Sequence, residues 1–189
     1  MHIYKLIIAG IWITSLVYFG ISAVGTRQYA DRNPMRSRPG IPIGFLVILL
    51  VLFQLRSVQN LLQRLSPTHI GPGRGITAVA LVTAGVGLAI WARVCLGKHW
   101  GLPMTLQQDP ELVTRGPYKC VRHPIYTGWI LAMSGSALAS GVLWLFVQVA
   151  LGAYFVFSAF TEEKILTKEF PAQYSEYKKR SKMLLPFIY

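Results

Sequence analysis

The sequence predicts an all-α, polytopic membrane helix bundle with about five transmembrane helices. Three observations lead there. Hydrophobic residues make up 53% of the 189 positions and charged residues only 14%, whereas a soluble domain carries roughly 25% charged residues. The apolar residues come in long blocks, so lipid is the solvent for much of the chain. The Lys and Arg residues sit in short stretches between those blocks, as the positive-inside rule produces.

Each span is placed by the need for about 20 mostly apolar residues. The first is expected at about 4–25. Its apolar stretch from Leu6 to Gly25 exceeds the roughly 7–15-residue core of a secretory signal, so a retained span is expected. The second is expected at about 41–62, after the Pro39-Gly40 break, with Arg56 near its far end. The third is expected at about 76–96, entered from the turn formed by Gly71 to Gly75. Between Arg122 and Glu162 there is no Asp, Glu, Lys or Arg. That block is too long for one span and suffices for two short ones, with Ala139-Ser140-Gly141 as the turn between them. Gly128, Ala132, Ser136 and Ser140 recur every four residues in the fourth span. Such a small-residue stripe lets another backbone approach closely, and the fifth span is the expected partner.

Charge sets the expected orientation. Arg27, Arg32, Arg36 and Arg38 fall in one loop, and Lys98, Arg115, Lys119 and Arg122 in another. Lys164, Lys168, Lys178, Lys179, Arg180 and Lys182 fall in the tail. With five spans these segments share one side, which the positive-inside rule makes cytosolic. The opposite loop carries Arg56, Arg64 and Arg74. The net charge of +12 invites a nucleic-acid reading, but there is no basic helix face and no RNA-binding signature, so no nucleic acid is expected. Cys95 and Cys120 form no zinc-like spacing, and no metal is expected. Arg93 is the one Arg inside a span, about a turn from its cytosolic end. It either snorkels to the interface or faces inward and marks a site.

Candidate chemistry lies between Gly97 and Tyr126, a stretch long for a connection between membrane helices. It holds His99, Trp100, Tyr118, Arg122, His123 and Tyr126. Pro124 suits the first position of a helix, and His123 before it is pushed out of the helical region. The N–H groups just after Pro124, including those of Ile125 and Tyr126, then face outward at the positive end of the helix dipole, a ready anion site to which Arg122 adds a full charge. The other reading of this junction is a plain helix start at the membrane surface. Glu162 and Glu163 form a second feature, at the expected end of the fifth span. Adjacent carboxylates at a lipid boundary are costly unless hydrated or paired. The positions four residues on are Leu166 and Thr167, so no helical ion pair supports them.

LVTRGPY at 112–118, RHPIY at 122–126 and EEKIL at 162–166 together resemble the isoprenylcysteine carboxyl methyltransferase family, which is related to the phospholipid methyltransferases. LGKHW at 96–100 and FPAQYSEYKKR followed by LLPF at 184–187 fit the same pattern. The resemblance covers about residues 90–187. It implies a membrane-embedded enzyme that uses S-adenosyl-L-methionine. It implies that the cofactor is held by Gln107 (or Gln108), Pro110, Glu111, Leu112, Val113, Tyr118, His123, Pro124, Ile125, Tyr126, Glu162 and its neighbour Glu163. It further implies an acceptor-binding Arg four residues before Glu162, where this chain has Ser158. Arg93 and Arg122 are the candidates for that role.

The expectation is therefore one membrane-embedded domain over 1–189, with two N-terminal spans in 1–75 and the catalytic core in 76–189. The expected reaction is carboxyl O-methylation of a prenylcysteine or similar lipid-like acceptor among the membrane lipids. The alternatives are N-methylation of a phospholipid amine and S-methylation of a thiol. A scaffold or small transporter is the non-enzyme alternative, against which the lack of an internal repeat counts. The site is expected on the cytosolic face, of the inner membrane in a bacterium or of the endoplasmic reticulum in a eukaryote.

Overall fold

The structure is a computed structural model that describes residues 3–26, 70–97, 100 and 111–184. The second span, expected at 41–62, lies outside the described residues. Five α-helices make up the described fold: α1 Ile3–Thr26, α2 Pro72–Leu96, α3 Pro124–Ser140, α4 Val142–Glu169 and α5 Pro171–Arg180. A 3-10 turn at Gly116–Lys119 precedes α3. Three segments are long and apolar enough to cross a membrane: Ile3–Ala23, Pro72–Leu96 and Trp144–Glu169. Their outward faces are apolar, with Ile21 and Val149 each 70% exposed. Helix α3 has 17 residues, a length of about 26 Å at 1.5 Å per residue, and carries no charge. The molecule is an all-α membrane helix bundle.

The boundaries follow local chemistry. Pro72 occupies the first turn of α2, so the helix begins inside the Gly71–Gly75 turn, about a turn earlier than expected. The α3–α4 turn falls at Gly141, whose φ of 97° suits a residue without a Cβ. Helix α4 runs on to Glu169, which places Glu162 and Glu163 within the helix and not at its end.

Helices α2 and α3 are antiparallel and pack through backbone. A Cβ on Gly85 would come within 2.5 Å of Gly128 O and Ala132 N. Gly135 lies equally close to Ala78 O, and Arg74 Nε donates to Leu138 O at 2.6 Å. The small-residue stripe of α3 therefore faces α2 rather than α4. The reason is complementarity: α2 offers its own small residues, Ala78, Gly85 and Ala89, and all three are buried. Helix α1 lies parallel to α2. Tyr4 packs on Gly75 near the start of both helices. Trp12 Nε1 donates to Ser136 Oγ at 2.9 Å, and Phe19 meets Trp100 and Trp129 near the other end. Helix α1 thus ends at the end of the bundle that holds the 3-10 turn, while α2 begins at the opposite end.

Candidate active site

The site assembles where the chain enters α3. His123 has φ −124° and ψ 59° and caps the helix without a side-chain cap bond. Pro124 forces that break and starts the helix. The first bond of the new helix runs from Thr127 N to His123 O, so the N–H groups of Ile125 and Tyr126 lie in the unpaired first turn. The C-terminal segment holds this junction in place. Arg122 N and His123 N donate to Lys182 O and Met183 O, and Lys182 N donates to Cys120 O. Thr127 Oγ1 donates to Leu184 O.

Glu162 and Glu163 approach from α4. Tyr126 OH donates to Glu162 Oε1 at 2.5 Å, and His123 Nδ1 lies 3.3 Å from Glu162 Oε2. Arg122 Nε donates to Glu163 Oε1 at 2.7 Å. His123 Nε2 faces the same oxygen at 3.6 Å, outside hydrogen-bonding range. Lys178 Nζ reaches Glu163 Oε2 at 3.0 Å. The His123 ring stacks on Tyr126, which stacks on Phe155 of α4, two helical turns before Glu162. His123 is 6% exposed. Burial opposes its charge, but contact with Glu162 and Glu163, and their charge, outweigh burial and raise its pKa above the usual value.

Tyr118 is buried in the 3-10 turn. Burial raises its pKa, so its hydroxyl stays a proton donor. Its carbonyl accepts a hydrogen bond from Tyr177 OH at 2.7 Å. Arg93 lies apart from the carboxylates. Its guanidinium sits 4.5 Å above the Trp100 ring and donates to Gly97 O at 2.8 Å. Among the described residues its buried Nε has no hydrogen-bond partner. The side chain thus folds back over the end of its own helix against aromatic rings. Ser158 is fully buried one turn before Glu162, and among the described residues its Oγ also lacks a partner.

The structure brings Arg122, His123, Tyr126, Glu162 and Glu163 into direct contact, with Pro124 and Ile125 forming the helix start. Glu111, Leu112 and Val113 lead into the 3-10 turn without regular structure. Gln107 and Pro110 lie outside the described residues. The sequence did not point to Lys178, Ser181 or Phe155 as members of this cluster. Lys178 reads as one more basic tail residue. The available signal was the Tyr174/Tyr177 pair, three apart in a polar helix; both are buried, seating α5 with Lys178 Nζ 3.0 Å from Glu163.

The chain is 29% identical over 112 residues to the nickel-cobalt-cadmium resistance protein NccN of Alcaligenes xylosoxydans xylosoxydans, covering 58% of this chain and 51% of that protein. It is 28% identical over 117 residues to the cobalt-zinc-cadmium resistance protein CzcN of Cupriavidus metallidurans, covering 60% and 52%. It is 38% identical over 78 residues to methanethiol S-methyltransferase 1 of Bradyrhizobium diazoefficiens, covering 41% and 27%. The chain thus spans about half the length of the two resistance proteins and about a quarter of the methyltransferase. The family model described as phospholipid methyltransferase matches residues 74–173, from α2 through the 3-10 turn and both carboxylates into α5, and with more than half of its length in that match the chain belongs to the phospholipid methyltransferase family.

Proposed function

We propose that this chain is an S-adenosyl-L-methionine-dependent methyltransferase working at the cytosolic face of a membrane, on an acceptor that enters from the lipid. The reading rests on one observation above all: the unpaired first turn of α3, His123, Tyr126 and Glu162 meet at one end of the bundle. This donor set suits the cofactor. The N–H groups of Ile125 and Tyr126, with His123 beside them, suit a carboxylate at the helix start. Glu162, whose side chain is 24% exposed, suits ribose hydroxyls. Tyr118 and Phe155 add aromatic surface for adenine or for a cationic sulfur. When bound, the cofactor supplies an activated methyl group. The protein then has to align the acceptor at about 3–3.5 Å and keep water out.

A prenylcysteine carboxylate is the first acceptor to test. It is ionised at neutral pH and needs no base. Arg93 is the better cation for it, because Arg122 is already paired with Glu163. A thiol is the second reading, favoured by the names of the methanethiol S-methyltransferase relatives. The test is transfer of labelled methyl to a panel of prenylcysteines, lipid amines and thiols. On a prenylcysteine, Arg93→Met should cut turnover about ten- to a hundredfold, the loss expected for one charge-assisted hydrogen bond, and should cut cofactor binding far less. Methylation of thiols alone, indifferent to Arg93→Met, would end the carboxylate reading.

A further inference from the structure

We infer that the adjacent carboxylates have separate roles, Glu162 facing the ligand and Glu163 acting as a buried counter-ion, and that Lys178 of α5 is a positioning residue that shares Glu163 with His123 and so sets how strongly Glu163 draws the imidazole. The inference deepens the reading above and rests on it for the identity of the ligand.

The two carboxylates differ in burial and in the charge of the groups that meet them. Both oxygens of Glu163 are committed within the protein. Oε1 accepts from Arg122 and faces His123 Nε2, and Oε2 meets Lys178 Nζ. Its side chain is 9% exposed, against 24% for Glu162. A buried carboxylate is stable only when paired, and three cationic groups from two segments converge on this one. Arg122 comes from the junction, His123 from the helix cap and Lys178 from α5. Glu162 Oε2 lies by the other edge of the imidazole, and its Oε1 accepts from the Tyr126 hydroxyl. Glu162 thus holds the imidazole at Nδ1, the Glu163 charge faces Nε2 from beyond hydrogen-bonding range, and the ring lies stacked on Tyr126.

Lys178 is not an ordinary surface partner. Exposed ion pairs contribute little, but here a lysine 39% exposed meets a carboxylate that is 9% exposed. Buried Tyr174 and Tyr177 seat its helix, Tyr177 OH is anchored on Tyr118 O, and the ammonium lies 5.2 Å from the Tyr174 ring. The backbone continues the same clamp, because Arg122 Nη1 donates to Ser181 O at 2.5 Å. The groups facing His123 are Glu162 and Glu163 of α4, Tyr126 of α3, Arg122 beside it and, across Glu163, Lys178 of α5. Removing the Lys178 charge leaves Glu163 with one cation fewer to satisfy. Its pull on the imidazole then strengthens, and a repelling charge nearby is gone.

The test uses the full chain in detergent with carbon-13-labelled histidine. His123 is one of four histidines, so its titration can be followed by NMR, with S-adenosylmethionine affinity measured by calorimetry on the same samples. Lys178→Met should move the His123 titration up by about one unit, as expected for a change in close charged neighbours, and weaken cofactor binding about tenfold, as for the loss of one charged contact. Lys178→Arg should keep both near wild type. A His123 titration unmoved in folded Lys178→Met, or moved as far in Lys178→Arg, overturns the positioning role. If Lys178→Met shifts His123 while the wild-type protein binds no S-adenosylmethionine, the positioning role stands and the ligand reading fails.

Discussion

At His123, Glu162 contacts one ring nitrogen and Glu163 faces the other, so the folded state favours the charged ring. The sign of the resulting pH dependence is fixed. The pKa is raised in the folded protein above the ordinary value of 6.5. The folded state therefore holds its proton where the unfolded chain has released it. This stabilisation is fully present below about pH 6.5, the unfolded value, and is lost as pH rises through the higher folded value. Thermal unfolding in detergent should show the melting temperature falling over that window, and His123→Ala should flatten the fall. His123→Ala and Glu162→Gln should each weaken S-adenosylmethionine binding, by about tenfold or more for a lost charged hydrogen bond. Unchanged affinity in both variants would return the junction to a plain helix start. Most of this cluster was legible in the sequence, because Pro124 announces a helix start and two carboxylates without helical partners ask for cations elsewhere. Which cations answer was not legible. Arg122 pairs across 41 positions and Lys178 reaches Glu163 from the next helix, and neither contact has a local signature.

The same boundary between local and long-range information runs through the elements. The turn at Gly141, the break at His123-Pro124 and the existence of α1, α2, α3 and α4 could be read from hydropathy, Pro and Gly. The partner of the α3 stripe could not, because a small-residue row states that a backbone comes close without stating whose. The answer lies in α2, where Gly85 faces Gly128 and Ala132. Helix α5 was missed as an element because its sequence is mostly polar, and two tyrosines alone carry its packing. A pair of substitutions tests the α2–α3 contact. Gly85→Ala should destabilise the bundle by about 1–3 kcal/mol, the range for overpacking, because the methyl meets fixed backbone atoms. Gly87→Ala, two residues on, has nothing within 4 Å of its Cβ. It should be neutral or stabilise by about 0.5–1 kcal/mol through helix propensity. Melting temperatures of the two variants should move in opposite directions or differ by the full overpacking cost.

For the whole molecule, the parallel run of α1 and α2 and the antiparallel run of α2 and α3 fix which groups share an end. Phe19, Trp100, Trp129, the 3-10 turn, the His123 cluster and α5 lie at one end, and Tyr4, Gly75 and the Arg74–Leu138 contact at the other. Among the described residues, Arg93, Arg115, Lys119, Arg122, Lys164, Lys168, Lys178, Lys179, Arg180 and Lys182 fall at the site end, and Lys5 and Arg74 at the far end. Lys and Arg beside a span are retained on the cytosolic side, so the asymmetry supports the proposed cytosolic placement of the site. Single cysteines test this in a chain carrying Cys95→Ala and Cys120→Ser. Lys179→Cys sits on the exposed face of α5 and Gly73→Cys on the exposed start of α2. An impermeant maleimide should reach position 179 only from the cytosolic side and position 73 only from the opposite side. Position 37 should label with 179, because residues 26–40 carry four Arg. Labelling of 73 and 179 from the same side would contradict a bundle that crosses the membrane along α2, and the cytosolic placement of the site would fall with it.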